Sequence, residues 1–353
     1  MRRGRSRQEW LVAGEQAWDT LLLRRRRGRP PKQFRIETYL GHGGPGGAVI
    51  RGRVLDDPAP TGAVEGEGAG AAVLRSLRQF LTSDLPGVPL RVTLGEDVVQ
   101  VSTDSDGYFR AELPAPGPAT EPAWQTATVE LAAPYRGLQP GHATAAQVRV
   151  PSAGAQFGVI SDVDDTILET GVQRVGQMLR ATFTGSELTR TAFPGAAALY
   201  RDLAGSSNPF FYVSSSPWNL HRFLVAFLEH RRFPLGPVLL RDLIGTADGR
   251  ETKHDRIEEI LALHPELPFV LIGDSGEHDP RVYADIVAAH PQRIRAVYIR
   301  EVRLDPGDGR VEAVTDGWAH DVPFVLAADS DAVRRHAVGI GLLPAEAPGR
   351  GGI

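Results

Sequence analysis

Three carboxylates stand within four positions of this chain, at Asp162, Asp164 and Asp165, directly after the apolar run 157–160. The run predicts a buried strand, so the acidic residues should lie at its carboxyl end. Carboxylates crowded in a buried place repel one another and lose hydration, and a fold keeps them when a cation shares the site. The pattern indicates a Mg²⁺-binding phosphoryl-transfer site in which one aspartate is the nucleophile.

The spacing of these acids assigns them different roles. Residues two apart in an extended chain face the same side, so Asp162 and Asp164 can reach one phosphate. We interpret Asp162 as the nucleophile that forms an aspartyl-phosphate, and Asp164 as the general acid and base. Thr166 is expected to contact the substrate. Asp165 lies off the shared face and is expected to support the loop.

A second predicted strand ends at Ser214, and Ser215, Ser216 and Pro217 follow it. Ser216 suits an N-cap and Pro217 suits the first position of a helix, predicted over Pro217–His230. The positive end of that helix would then face Ser214. We therefore expect Ser214 and Ser215 to bind phosphate.

Two further segments carry residues of the same chemistry. Lys253 opens a predicted helix, where a cation opposes the helix dipole, and this placement indicates a phosphate or carboxylate partner. A solvated surface lysine is the commoner interpretation of a single lysine. Asp274 ends an apolar strand after Gly273, as a metal ligand would. Asp279 precedes Pro280 and suits a helix cap.

From residue 157 onward, strand and helix patterns alternate, which predicts an α/β fold with a doubly wound parallel sheet. Ligands of such sheets bind at the carboxyl ends of the strands, where the acidic and hydroxyl residues fall. The predicted strands are Phe157–Asp162, Phe210–Ser214, Val238–Leu240, Phe269–Gly273 and Ile294–Ile299. The predicted helices are Ala196–Leu203, Pro217–His230, Lys253–Leu263, Pro280–His290 and Asp331–Val338.

The preceding part of the chain has a different pattern of short strands separated by turns, which predicts a small antiparallel β-sandwich over residues 34–150. Its strand order resembles transthyretin-like modules. The predicted strands are Val49–Leu55, Pro89–Leu94, Val98–Val101, Tyr108–Leu113 and Gln125–Leu131. Gly41–Gly47 is predicted to be a flexible loop, and Pro134–Ala155, rich in Gly, Pro and Ala, to be the seam before a catalytic domain over residues 151–345.

Residues 1–33 form a third, basic segment with ten Lys and Arg against three acidic residues, although the whole chain carries −4. Its apolar residues recur at helical spacing. Two interpretations stay open: a helix that lies on an anionic membrane, and a helix packed on the protein itself. The chain has no cysteine, which fits a cytoplasmic protein. No aromatic-interleaved basic platform follows, so no nucleic-acid partner is expected.

The four chemical segments, in this order, resemble the four motifs of the haloacid dehalogenase (HAD) superfamily. The matching residues are Asp162, Asp164, Thr166, Ser214, Lys253, Gly273, Asp274 and Asp279. The stretches 161–167, 212–218 and 271–279 are more narrowly similar to the catalytic domain of actin-patch-type phosphatidate phosphatases. That resemblance implies Mg²⁺-dependent hydrolysis of phosphatidate to diacylglycerol and phosphate.

The resemblance also implies residue roles. Asp162, the backbone carbonyl of Asp164, and Asp274 would hold Mg²⁺. Ser214 and Lys253 would bind phosphoryl oxygens, and Asp279 would position Lys253 or the waters of the metal. The short insert over residues 171–194 leaves room for only a small cap, and an open site suits a bulky or interfacial substrate.

Three functions are compatible with these residues. The leading hypothesis is a phosphatidate phosphatase that meets its phospholipid substrate at a membrane surface. The first alternative keeps the chemistry and changes the substrate to a protein, nucleotide or small-metabolite phosphomonoester. The second is a non-catalytic lipid-binding or scaffold module, which the complete set of acidic residues disfavours. The sequence predicts no partner for the β-rich segment.

Overall fold

The computed structural model describes residues 30–56, 84–117, 123–163, 194–241, 252–275, 279–301, 315–316 and 318–345. The predicted N-terminal helix up to residue 29, residues 171–193 of the insert, and Asp164, Asp165 and Thr166 lie outside these ranges. Among the helices that are described, none is both long enough and apolar enough to cross a lipid bilayer.

The first part of the chain, residues 34–150, is called here the β-rich region. It consists of β1 (Phe34–Thr38), β2 (Gly41–Gly44), β3 (Gly47–Asp56), β4 (Pro89–Leu94), β5 (Asp97–Ser102), β6 (Tyr108–Leu113), β7 (Trp124–Leu131) and β8 (Gly141–Arg149). In β4 and β6 buried and more exposed residues alternate, as expected of strands with one face on a core.

Hydrogen bonds join these strands into a single eight-stranded sheet in the order β1-β3-β2-β8-β7-β4-β5, with β6 paired to β3. All pairs are antiparallel except β2 with β8. The buried residues of this sheet form one hydrophobic core, in which Ile50, Leu90 and Val129 are completely buried. The antiparallel strands confirm the predicted strand character, whereas a sandwich of two sheets is not confirmed.

Two segments of the β-rich region differ from the prediction. Gly41–Gly44, predicted to be part of a flexible loop, is the buried strand β2. A Cβ on Gly41 would lie 2.8 Å from the carbonyl oxygen of Val49, so these glycines permit a close approach of two backbones. The predicted seam at Pro134–Ala155 contains β8, which pairs with β7 over most of its length.

The second part, called here the α/β region, covers the described residues between 157 and 343. Its strands are β9 (Gly158–Asp162), β10 (Phe210–Pro217), β11 (Val238–Arg241), β12 (Phe269–Asp274), β13 (Ile294–Arg300) and β14 (Phe324–Ala327). They form a parallel sheet in the order β11-β10-β9-β12-β13-β14, as predicted. β14 was not among the predicted strands.

Five helices are described in the α/β region: α1 (Ala196–Ala204), α2 (His221–His230), α3 (Lys253–Leu263), α4 (Asp279–Ala289) and α5 (Ser330–Gly339). Helices α1, α2 and α5 share one core with alternate sheet residues such as Tyr212. Helices α3 and α4 share a second core with residues such as Phe211. Helices therefore cover both faces of the sheet, as expected of a doubly wound fold.

The chain order of the strands changes direction at β9. It runs outward from β9 through β10 to β11, and then returns to place β12 on the other side of β9. At such a switch point the connections diverge to opposite faces, which leaves a crevice at the carboxyl ends of the two strands. Asp162 ends β9 and Asp274 ends β12, so both lie at this crevice.

Candidate active site

The carboxyl ends of β9 and β12 bring Asp162 and Asp274 to one place. The strands are in register with Ser161 opposite Ile272, so the next residues of both strands continue side by side. Asp162 and Asp274 are completely buried. Two buried carboxylates on adjacent strands are costly unless cations or hydrogen-bond donors stabilise their charge.

Lys253 supplies one such cation. Its Nζ donates to Oδ1 of Asp162 at 2.7 Å and also donates to Oδ1 of Asp279. Lys253 is the first residue of α3, whose start is fixed by Thr252 and Asp255 in a capping box. A lysine here opposes the helix dipole, and contact with two carboxylates offsets that cost. The structure thus places Lys253 against carboxylates, one of the two predicted types of partner.

Asp279 is the first residue of α4 and is completely buried. Besides its contact with Lys253, its Oδ2 accepts from the backbone N–H of Asp274 at 3.4 Å. A Cβ on Gly273 would lie 2.4 Å from Oδ2 of Asp279, so only glycine at that position allows this approach. The sequence suited Asp279 to a helix cap, and the HAD resemblance implied that it would position Lys253 or the waters of a metal. In the structure its side chain contacts Lys253 and the end of β12.

We call Asp162, Asp274, Asp279 and Lys253 the strand-end cluster. One carboxylate oxygen from each of the three aspartates lies within 4.8 Å of the other two. Carboxylate oxygens are the type of donor that Mg²⁺ binds in proteins. Because the donors are buried and mutually repulsive, the residues fit a divalent cation. The sequence predicted Asp162 and Asp274 as ligands, and the geometry groups Asp279 with them.

Ser214 lies on β10, next to β9, where Val213 is in register with Asp162. It is completely buried, and its hydroxyl accepts from the backbone N–H of Ser216 at 2.9 Å. The guanidinium of Arg256, which is 2% exposed, donates to the carbonyl of Ser214 at 3.2 Å. Ser215 is exposed. These contacts fix Ser214 on the strand adjoining the strand-end cluster.

The helix predicted to start at Pro217 begins later in the structure. Strand β10 continues to Pro217, where it pairs with Arg241, a 3-10 turn follows over Trp218–Leu220, and α2 begins at His221. Pro217 is the N-cap of this turn and no side chain caps it, so Ser216 does not have its predicted place as the cap. Pairing with β11 delays the helix, and the phosphate cradle at its N-terminus stays a prediction.

Two tyrosines that sequence reasoning missed hold the strand ends in place. The hydroxyls of Tyr200 and Ser161 are 2.8 Å apart, and the hydroxyl of Tyr283 donates to the carbonyl of Ile272 at 3.0 Å. Burial raises the pKa of both tyrosines above their usual value, so they remain neutral donors. No sequence signal separates them from ordinary core tyrosines.

The predicted roles of Asp164 and Thr166 stay predictions, since both residues lie outside the described ranges. The same holds for the loop role of Asp165.

Comparisons with known proteins find relatives of the α/β region. Residues 157–301 match the family model described as the catalytic domain of phosphatidate phosphatase APP1. Over 151 residues the chain is 33% identical to phosphatidate phosphatase APP1 of Saccharomyces cerevisiae, covering 41% of this chain and 26% of that protein. The match confirms the predicted resemblance to this phosphatase catalytic domain.

Two other proteins are similar. An uncharacterized protein of Schizosaccharomyces pombe is 28% identical over 155 residues, covering 42% of this chain and 26% of that protein. The crystal structure of a HAD family hydrolase from Deinococcus radiodurans R1, with bound phosphate and sodium, is 17% identical with a TM-score of 0.35, covering 54% of this chain and 99% of that chain. The alignments span about a quarter of the length of the two yeast relatives.

Proposed function

We propose that this chain is a Mg²⁺-dependent phosphatase of the HAD type that hydrolyses phosphatidate to diacylglycerol and phosphate. The observation that carries the proposal is the strand-end cluster at the switch point of a parallel sheet, within the residues that match a phosphatidate phosphatase catalytic domain. The proposed domains are 34–150, a transthyretin-like module, and 151–345, the catalytic domain.

The reaction proceeds in two transfers of the phosphoryl group. An oxygen of the Asp162 carboxylate attacks phosphorus, the bond from phosphorus to the glycerol oxygen breaks, and Asp164 gives its proton to that oxygen. The products of this step are diacylglycerol and an aspartyl-phosphate. Asp164 then takes a proton from water, which attacks phosphorus and releases phosphate and the free Asp162 carboxylate.

The other residues orient the reactants and stabilise charge. Lys253, already in contact with Asp162, places a positive charge beside the phosphoryl oxygens, and Ser214 offers a hydroxyl from the adjoining strand. Asp162, Asp274 and Asp279 would hold the cation. When bound, Mg²⁺ would stabilise the negative charge of the phosphoryl group.

The choice of phosphatidate follows from the name of the matching family and of the yeast relative, and from the small insert after the first motif. A peripheral position at a cytoplasmic membrane surface, with residues 1–33 as the contact, would bring such a substrate to the site. The β-rich region carries no assigned partner in this proposal.

A panel of phosphomonoesters tests the proposal. Phosphate release is measured with Mg²⁺ from phosphatidate in mixed micelles, from p-nitrophenyl phosphate, a nucleoside monophosphate and a phosphopeptide. We expect phosphatidate to be the best substrate and Asp162→Asn to abolish its hydrolysis. Activity that survives Asp162→Asn would contradict the mechanism, and a wild-type protein active only on a soluble ester would contradict the substrate.

A further inference from the structure

Helix α3 has contacts on two sides that serve different purposes. Its first residue, Lys253, belongs to the strand-end cluster. Glu259 lies six residues later, about 9 Å along the helix axis, and its carboxylate contacts the β-rich region. Any shift of α3 at Glu259 is therefore transmitted to Lys253, because a helix of this length moves as a rigid body.

Glu259 is held by three cationic or protonatable side chains of the β-rich region. Arg51 donates to it at 2.9 Å, Arg110 at 2.8 Å, and Nε2 of His42 lies 3.0 Å from it. We call Glu259, Arg51, Arg110 and His42 the interface cluster. Burial opposes ionisation of Glu259, and hydrogen bonds from His42 and Arg51 more than compensate, which lowers its pKa well below the usual value.

The carboxyl end of α3 also contacts the β-rich region, here through the backbone between β2 and β3. The backbone N–H of Gly46 donates to the carbonyl of Leu263 at 3.0 Å. A Cβ on Gly44 would lie 2.4 Å from Nδ1 of His264, and one on Gly46 would lie 2.2 Å from the carbonyl oxygen of Ala262. Only glycines fit here, so the β-rich region packs closely along the second half of α3.

A second set of contacts reaches the segment that follows Ser214. The ring of Tyr39 stacks on Trp218 with centroids 4.8 Å apart and planes inclined by 6°. The hydroxyl of Tyr108 donates to Oδ1 of Asn219 at 2.9 Å. Tyr39 and Tyr108 belong to the β-rich region, whereas Trp218 and Asn219 follow Ser214 by four and five residues.

The two sets of contacts are joined inside the α/β region. Arg256 lies on α3 between Lys253 and Glu259, and its guanidinium donates to the carbonyl of Ser214. The β-rich region thus holds both elements that deliver Lys253 and Ser214, and Arg256 ties them to each other.

We propose that the β-rich region is a positioning part of the catalytic site, and that Arg51, through Glu259, fixes α3 and with it Lys253. The inference rests on the proposed phosphatase function, because it concerns the placement of that site. Arg51 is a positioning residue, since its guanidinium contacts Glu259 and acts on the site only through α3. Small displacements matter: a shift of about 1 Å in a catalytic group can cost about 100-fold in rate.

The experiment compares three variants of the full chain: Arg51→Met, which keeps the side-chain length without the charge, Arg51→Lys, which keeps a charge, and Arg91→Met as a control. Arg91 also pairs with a carboxylate, Glu130, within the β-rich region and away from α3. The quantities measured are kcat and KM for phosphatidate with Mg²⁺, and the affinity for inorganic phosphate with Mg²⁺ by titration calorimetry. All are measured below the melting temperature of each variant.

We expect Arg51→Met to lower kcat about tenfold and to weaken phosphate binding, and Arg51→Lys to recover part of both. Arg91→Met should match wild type. The inference is overturned if Arg51→Met lowers the melting temperature while kcat and phosphate affinity in the folded protein stay at wild-type values. A wild-type protein that binds phosphate but hydrolyses none of the esters would contradict the proposed function, and phosphate affinity would still decide the role of Arg51.

Discussion

The molecule contains two clusters of charged side chains whose compositions are opposite, one almost completely buried and one partly exposed. The strand-end cluster has three aspartates and one lysine, while the interface cluster has one glutamate, two arginines and one histidine. In the interface cluster the side chains of the protein neutralise the carboxylate. In the strand-end cluster carboxylates predominate, and their oxygens converge on one point. The difference separates an ion pair network that the protein neutralises by itself from the proposed site for an external cation and a phosphoryl group.

Among changes that keep the proposed nucleophile, the largest effect is expected from removing the lysine of the strand-end cluster. Lys253→Met should lower the rate of phosphate release about 100- to 1,000-fold, because it deletes the charge that faces the phosphoryl oxygens. The matched change outside both clusters is Arg91→Met, which should retain wild-type activity. Steady-state hydrolysis of phosphatidate with Mg²⁺ measures both. An activity of Lys253→Met within twofold of wild type would remove Lys253 from the site.

The interface cluster should instead affect stability most directly. Glu259→Gln keeps the shape of the side chain and removes the carboxylate that Arg51 and Arg110 both contact, at a cost of about 2 to 3 kcal/mol in the free energy of unfolding. Glu130→Gln, which breaks the more exposed pair with Arg91, should cost less than about 1 kcal/mol. Urea unfolding of the two variants gives the comparison. Equal costs would show that the interface pair behaves as a surface pair.

Magnesium should distinguish the two clusters by thermal unfolding. A cation present at about 100 times its dissociation constant stabilises the native state by about 2.7 kcal/mol, so Mg²⁺ should raise the melting temperature of wild type. Asp274→Asn should lose this increase, because it removes one donor of the strand-end cluster. Glu259→Gln should show the same Mg²⁺-dependent increase, although its melting temperature without Mg²⁺ is lower than that of wild type. A Mg²⁺-dependent increase that is unchanged in Asp274→Asn would contradict the assigned donor set.

Acid should weaken the contact between the two regions. Burial, with His42 and Arg293 nearby, lowers the pKa of His264 to about 3 from its usual 6.5. The unfolded chain then binds more protons between pH 6.5 and pH 3, so stability is lost as the pH falls through this window. His264→Leu should reduce the loss between pH 7 and pH 5 by about 2 kcal/mol or less. The control His230→Leu changes an exposed histidine and should follow wild type.

The sequence predicted the parts of the fold that depend on local pattern. Strand β12 and helix α3 were predicted at or within one residue of their observed bounds, because local strand and helix patterns mark them. The prediction failed where tertiary contacts override local signals. Pro217 remains in a strand because β11 pairs with it, and Gly41–Gly44 is a strand because β3 lies against it.

The residues of the site also divide into those that local pattern predicts and those that tertiary packing brings together. Asp162, Asp274 and Lys253 were predicted because they stand at strand ends and at a helix start, which the chain pattern locates. The place of Asp279 beside the other two aspartates depends on the close approach that Gly273 permits. Arg256 and Glu259 resembled ordinary charges on a helix. The contact of Arg256 appears only when α3 packs beside β10, and that of Glu259 only when the β-rich region packs against α3.

The most direct test follows the phosphoryl group itself. Phosphatidate labelled with ³²P in its phosphate is mixed with enzyme and Mg²⁺, the reaction is stopped with acid within milliseconds, and protein-bound label is counted. Wild type should carry label that hydroxylamine releases, as expected of an aspartyl-phosphate, and Asp162→Asn should carry none. Hydrolysis by wild type without labelled protein, or equal labelling of Asp162→Asn, would contradict Asp162 as the nucleophile.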